Sequence, residues 1–158
     1  MSFGFSFIGL IFLVMLFVPN IIWTRNKPLD YDKYVLQENK VLLTLERIGE
    51  ATVSFLMLIN DDMKLLKDDP SYIWLILTFV VMILYEIFWI SYFHSEKKMQ
   101  DFYSSILGIP VAGASLPVIG VLLMAVFRKS IVLFIAGIIL GIGHIGIHLE
   151  HRSQINKE

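Results

Sequence analysis

The stretch Ser130–Leu149, SIVLFIAGIILGIGHIGIHL, decides the fold. It contains no Asp, Glu, Lys or Arg. About 20 mostly apolar residues are what a helix needs to cross the hydrocarbon of a bilayer. Its only ionisable groups are His144 and His148. Gly137, Gly141, His144 and His148 are spaced 4, 3 and 4 apart, and His151 follows after 3, so they form one helical stripe. The outer part, Gly137-xxx-Gly141, is a close-packing motif of membrane helices. The inner part presents imidazoles.

Four further stretches read as spans: about 3–23, 41–59, 71–93 and 107–127. The first has no charge, the third carries only Glu86, and the second carries Glu46, Arg47 and Glu50. Nothing basic precedes the first, and no small-residue cleavage site follows it, so a retained helix is expected rather than a signal peptide. In the fourth, Ser104 or Ser105 is expected to cap the helix and Pro110 to sit in its first turn. Pro117 cannot donate to the carbonyl of Gly113 and should kink it. Gly108, Ala112 and Ser115 make a small-residue stripe there.

Composition supports this reading. Of the 158 residues, 56% are hydrophobic and 17% charged, against about 45–50% and 25% in soluble domains. Mean hydropathy is +0.71. The net charge of −1 offers no basic field for nucleic acid. The chain has no cysteine, which excludes disulfides, thiolate metal sites and cysteine nucleophiles. Serine-nucleophile, phosphate-loop and dinucleotide motifs are absent from the sequence. The expected fold is an all-α polytopic bundle, a single integral-membrane domain over 1–158 with five transmembrane helices.

Basic residues orient it. Arg25, Lys27, Lys33, Lys40, Lys97, Lys98, Arg152 and Lys157 fall on one side, and Lys64, Lys67, Arg128 and Lys129 on the other. The positive-inside rule then gives N-out/C-in. At about 1.5 Å of rise per residue, Asn20, Glu46, Glu86 and His144 fall in the cytoplasmic leaflet, with Glu50 near the midplane. The acidic loop bearing Asp61, Asp62, Asp68 and Asp69 reads as a solvated turn.

Ionisable groups cost about 2.5–3.5 kcal/mol each at the bilayer centre on insertion scales, so their default reading is functional. Glu46, Arg47, Glu50, Glu86, His144 and His148 are the candidate polar site. Glu46 and Glu50 share a face, and Arg47 can reach Glu50. Histidines at i, i+4 can share one metal ion. Zinc would need a third ligand, with Glu86, Glu46 or Glu50 available. The second or third span, packing on Gly137 and Gly141, is expected to bring that carboxylate.

Several strings together carry a resemblance: PNIIW (19–23), ENK (38–40), ERIGE (46–50), LYEIFW (84–89), FYSSILGIP (102–110) and GIGHIGIHLEH (141–151), with the loop DYDKY (30–34) and Gln37. The chain resembles a family of small bacterial multi-pass membrane proteins. That resemblance implies a bacterial plasma membrane and attaches no activity. The residues themselves point to transport or sensing of a proton or a divalent metal. The alternatives are an intramembrane enzyme acting on a lipid, with His144 as base and Glu86 beside it, or an accessory subunit whose polar network fixes helix register. Beside the lipid bilayer, the expected partner is a second copy, through Gly137 and Gly141.

Overall fold

The computed structural model describes residues 4–29, 31–35, 38–60 and 71–157. The loop carboxylates Asp61, Asp62, Asp68 and Asp69, the lysines Lys64 and Lys67, and Asp30 and Gln37 lie outside the described residues. Helix makes up 77% of the structure, with no strand among the described residues. The elements are α1 (Phe7–Trp23), α2 (Tyr31–Val35), α3 (Lys40–Leu58), α4 (Tyr72–His94), α5 (Met99–Phe102), α6 (Ala112–Phe127) and α7 (Ile131–Ile155).

Local chemistry sets several starts. Ser6 accepts from the Gly9 amide at 2.7 Å, Asn39 from Val41 at 2.9 Å and Ser130 from Leu133 at 3.3 Å. Each side chain satisfies an amide that has no partner within its helix. The start of α6 departs from expectation. Neither Ser104 nor Ser105 caps it, and Pro110 lies before it; Val111 is the cap, in the left-handed region at φ 43°. Proline disfavours helix at the residue preceding it, and residues 106–109 close a small bridged turn instead. Gly108 sits in that turn at φ +80°, so it is not part of a helical small-residue stripe. At the other end of the chain, α7 runs to Ile155, past the expected stop at Leu149. Glu150, His151 and Arg152 continue it because none breaks a helix.

The five long helices form a ring. α3 packs most extensively on α7, α7 on α6, and α6 on α4, while α1 closes the ring through looser contacts with α3 and α4. The α3–α7 crossing brings backbone against backbone at two glycines. A Cβ on Gly143 would meet the Glu46 amide nitrogen at 2.3 Å, and one on Gly49 would meet Leu140 Cα at 2.5 Å. Gly137 and Gly141 serve a different neighbour. Their open faces meet Val121, Leu122 and Val118 of α6 at 3.0 Å or more. The Gly137/Gly141 face thus meets the uncharged α6, not a carboxylate-bearing helix.

Two helices, α4 and α7, are long and apolar enough to cross a membrane. α1 and α6 are apolar but only 17 and 16 residues long, and α3 carries Glu46, Arg47 and Glu50. In the apolar windows of α4 and α7, only 28% and 33% of residues are buried. Ile76, Val80, Ile83, Ile87 and Ile90 of α4, and Ile131, Ile135, Ile138 and Ile142 of α7, lie on the outside. A helix that is apolar all round and yet uncovered is unlike the core helix of a soluble domain. α6 is the opposite: 11 of its 16 residues are buried.

One end is closed by Arg128. Its guanidinium is buried and donates to the Leu56 and Met57 carbonyls, each at 3.0 Å, and to Ser6 Oγ at 2.8 Å. Strand-like pairing of Ser6 with the Leu58 carbonyl at 2.9 Å joins the same knot. The carbonyls at the end of α3 have no intrahelical donors, and Arg128 supplies them.

Gly143→Ala is expected to cost about 1–3 kcal/mol by overpacking against backbone. Gly146→Ala meets only the tip of the Leu42 side chain at 3.0 Å and should cost well under half as much. Thermal unfolding of both variants in mild detergent checks the order.

Candidate functional site

At the end opposite Arg128, the α3–α7 crossing carries Glu46 onto His144. Oε1 of Glu46 and Nδ1 of His144 lie 2.5 Å apart, and both side chains are largely buried. One turn further along α7, the His148 ring sits 4.6 Å from that of His144, centroid to centroid. One ligand atom from each of Glu46, His144 and His148 lies within 4.8 Å of the others. This is the one group of three possible metal ligands among the described residues.

The carboxylate beside the two histidines therefore comes from α3, not α4. Glu86 is half-buried on a helix that packs on α6 and α1. It is no part of the group, and an enzyme built on a Glu86–His144 pair loses its geometry. The residue α4 does contribute is its neighbour Tyr85, whose hydroxyl accepts from Asn20 Nδ2 at 2.8 Å and donates to the Leu16 carbonyl at 3.2 Å. Adjacent helical residues point about 100° apart, so Tyr85 faces the interior and Glu86 does not. Arg47 is exposed at the rim. Among the described residues it makes no ion pair with Glu46 or Glu50.

Three cavities meet at this group. A polar one of about 310 Å³ reaches the loops and is lined by Lys27, Tyr31, Glu38, Glu46, Arg47, Glu50, His144 and His148 among others. A second, of about 200 Å³, runs along α6 and shares Asn20, Glu50 and His144 with the first. Gly113 and Pro117, the pair singled out by the missing hydrogen bond, both line it. A third, of about 30 Å³, lies between Trp89, Tyr103, His144 and His148. That is roughly the room one water occupies in the liquid.

An aromatic shell surrounds the imidazoles. Trp23 and Phe102 stack at 5.3 Å, and Phe102 and Tyr103 lie 5.9 and 5.5 Å from the His148 ring. Lys27 Nζ sits 5.3 Å above Trp23. His151 is buried among them. Its Nδ1 lies 2.7 Å from the Tyr103 hydroxyl, and its Nε2 lies 3.4 Å from Glu38 Oε1. Burial raises the Glu38 carboxyl above the usual range; Glu46 adds to the rise and Arg47 opposes it. Burial likewise raises the Tyr31 and Tyr103 phenols, which therefore stay protonated at neutral pH.

Sequence reasoning placed His151 on the stripe but gave it no partner. Tyr103 and Glu38 come from separate loops and carry no spacing signal. The signal that could have been read is the aromatic density around FYSS, which an exposed loop has no reason to carry. Comparison with family models, with curated proteins and with solved structures finds no match to this chain.

Tyr103→Phe removes the hydroxyl and leaves a buried imidazole nitrogen without it. A loss of about 1–3 kcal/mol is expected from that unmet group, read by thermal unfolding. Metal content, if carried by Glu46, His144 and His148, should not change.

Proposed function

We propose that this is a five-span membrane protein, N-out/C-in, that binds one divalent metal ion at Glu46, His144 and His148 and senses it from the cytoplasmic face. The observation that carries the reading is the convergence of those three ligand atoms within 4.8 Å at the junction of the cavities. Two imidazoles and one carboxylate form a common zinc ligand set, with a fourth position left for water or a ligand oxygen. Glu50, lining the same cavity, holds a second carboxylate in reserve. Uncovered isoleucines on α4 and α7 support the bilayer setting. The polar cavity reaches the loops rich in lysine and arginine, the side the positive-inside rule assigns to the cytoplasm.

Binding from one side suits the opposite end better than passage does. Phe12, Met57, Met82, Met124 and Phe127 are fully buried there, and the Arg128 guanidinium stands beyond them. A cation crossing the bundle would meet apolar packing and then a like charge. Sensing, or chemistry at the site, is therefore favoured over conduction through it.

Elemental analysis of untagged protein tests the proposal. Close to one zinc, manganese or iron per chain is expected in the wild type. His144→Ala/His148→Ala should lose it, Glu46→Gln should weaken binding at least tenfold, and Glu86→Gln should retain it. Wild-type protein that stays metal-free when all three metals are offered would overturn the reading.

A further inference from the structure

The cavity along α6 has a direction. On α1, α3 and α7 the lining residue nearest the histidines is polar, and beyond it Ser54 of α3 is the one polar lining residue on these helices. Asn20 precedes Leu16 on α1, Glu50 precedes Val53 on α3, and His144 precedes Leu140 on α7. Further in, Pro117, Val118 and Val121 of α6 complete an apolar wall. From Gly113 to Val121 the wall extends about 12 Å at helical rise. Its volume is about 200 Å³, and an apolar cavity of about 150 Å³ is known to take a benzene-sized molecule. Beyond it the fully buried Met57, Met82 and Met124 close the bundle.

The cavity also has an edge on the outer surface. Phe17 of α1 lines it and is 44% exposed, and Ser54 of α3 lines it half-buried. They flank the α1–α3 seam, one of the two looser seams in the ring. In the bilayer proposed above, that seam faces acyl chains rather than water.

The polar end selects the head. Asn20 Nδ2 is committed to the Leu16 carbonyl at 2.7 Å and to Tyr85. Around the junction stand three carboxylates, Glu38, Glu46 and Glu50, which outnumber the two cations, Lys27 and Arg47, and the two imidazoles. Carboxylates repel an anionic head, whereas an ion held by the histidines accepts a neutral oxygen as its fourth ligand.

We propose that this cavity binds the acyl chain of a neutral ester lipid, entering between α1 and α3, with its head oxygen directed at the Glu46–His144–His148 group. The metal reading is needed only for what holds the head; the chain is held by the apolar wall whether or not that reading stands.

The experiment uses full-length protein in mild detergent and a photoactivatable diazirine analogue of an octanoyl glycerol monoester. Metal content is measured on the same samples. Labelling of Val53, Val118 or Val121, competed by unlabelled monoester and at least fivefold above the matching octanoic acid probe, is expected. Ser54→Trp and, separately, Leu16→Phe should cut that labelling at least fivefold while retaining the metal, which also reports that each variant is folded. Label confined to outward residues such as Ile83 or Ile135 and indifferent to competitor would overturn the acyl site, and with metal present would leave the metal reading intact. Stronger labelling by the acid would overturn the neutral head. Cavity labelling in protein that binds no metal would sustain the acyl site and overturn the metal reading alone.

Discussion

Backbone contact between α3 and α7 is the constraint from which the polar site follows. Gly49 and Gly143 have no side chain, so the two helices meet with backbone atoms where any Cβ would collide. That approach places Glu46 beside His144. In a wider crossing, with ordinary residues at the contact, the helix axes stand about 8–10 Å apart. A carboxylate and an imidazole would then meet only in extended rotamers. The interior polar groups are thus positioned by what is missing from the sequence at two positions as much as by what is present.

The helices themselves were legible because apolar length is local. The apolar stretches near 3–23, 41–59 and 71–93 are helical over Phe7–Trp23, Lys40–Leu58 and Tyr72–His94. The α6 start was misread because Pro110 fits the first turn of a helix as readily as it fits the turn before one. The choice fell to Val111, whose left-handed conformation no residue type announces. The end of α7 was misread because a hydropathy window stops where charge begins, while a helix stops where hydrogen bonding does.

For the site, the set of polar residues was partly legible and their direction was not. Of the residues singled out, Asn20, Glu50 and His144 line one cavity. Which helix faces which is a property of the ring, and sequence spacing does not contain it. Gly137 and Gly141 looked like the seat of the carboxylate helix but seat α6, while Gly143, two residues on and on another face, seats α3. The same ambiguity exchanged Glu86 for Glu46, since a lone glutamate in an apolar helix attracts attention whichever way it points.

The burial of α6 bears on how such a chain is assembled. A helix with most of its residues covered by neighbours makes little use of lipid as a solvent. In the membrane setting proposed here, its 16 residues, about 24 Å of rise, fall short of the roughly 30 Å hydrocarbon thickness. It therefore gains more from partner helices than from the bilayer. Arg128 and Lys129 are the whole link between α6 and α7 apart from the cap Ser130, so the two enter as one hairpin. The same hairpin carries both histidines, so the polar group is complete only where this pair and α3 are packed together.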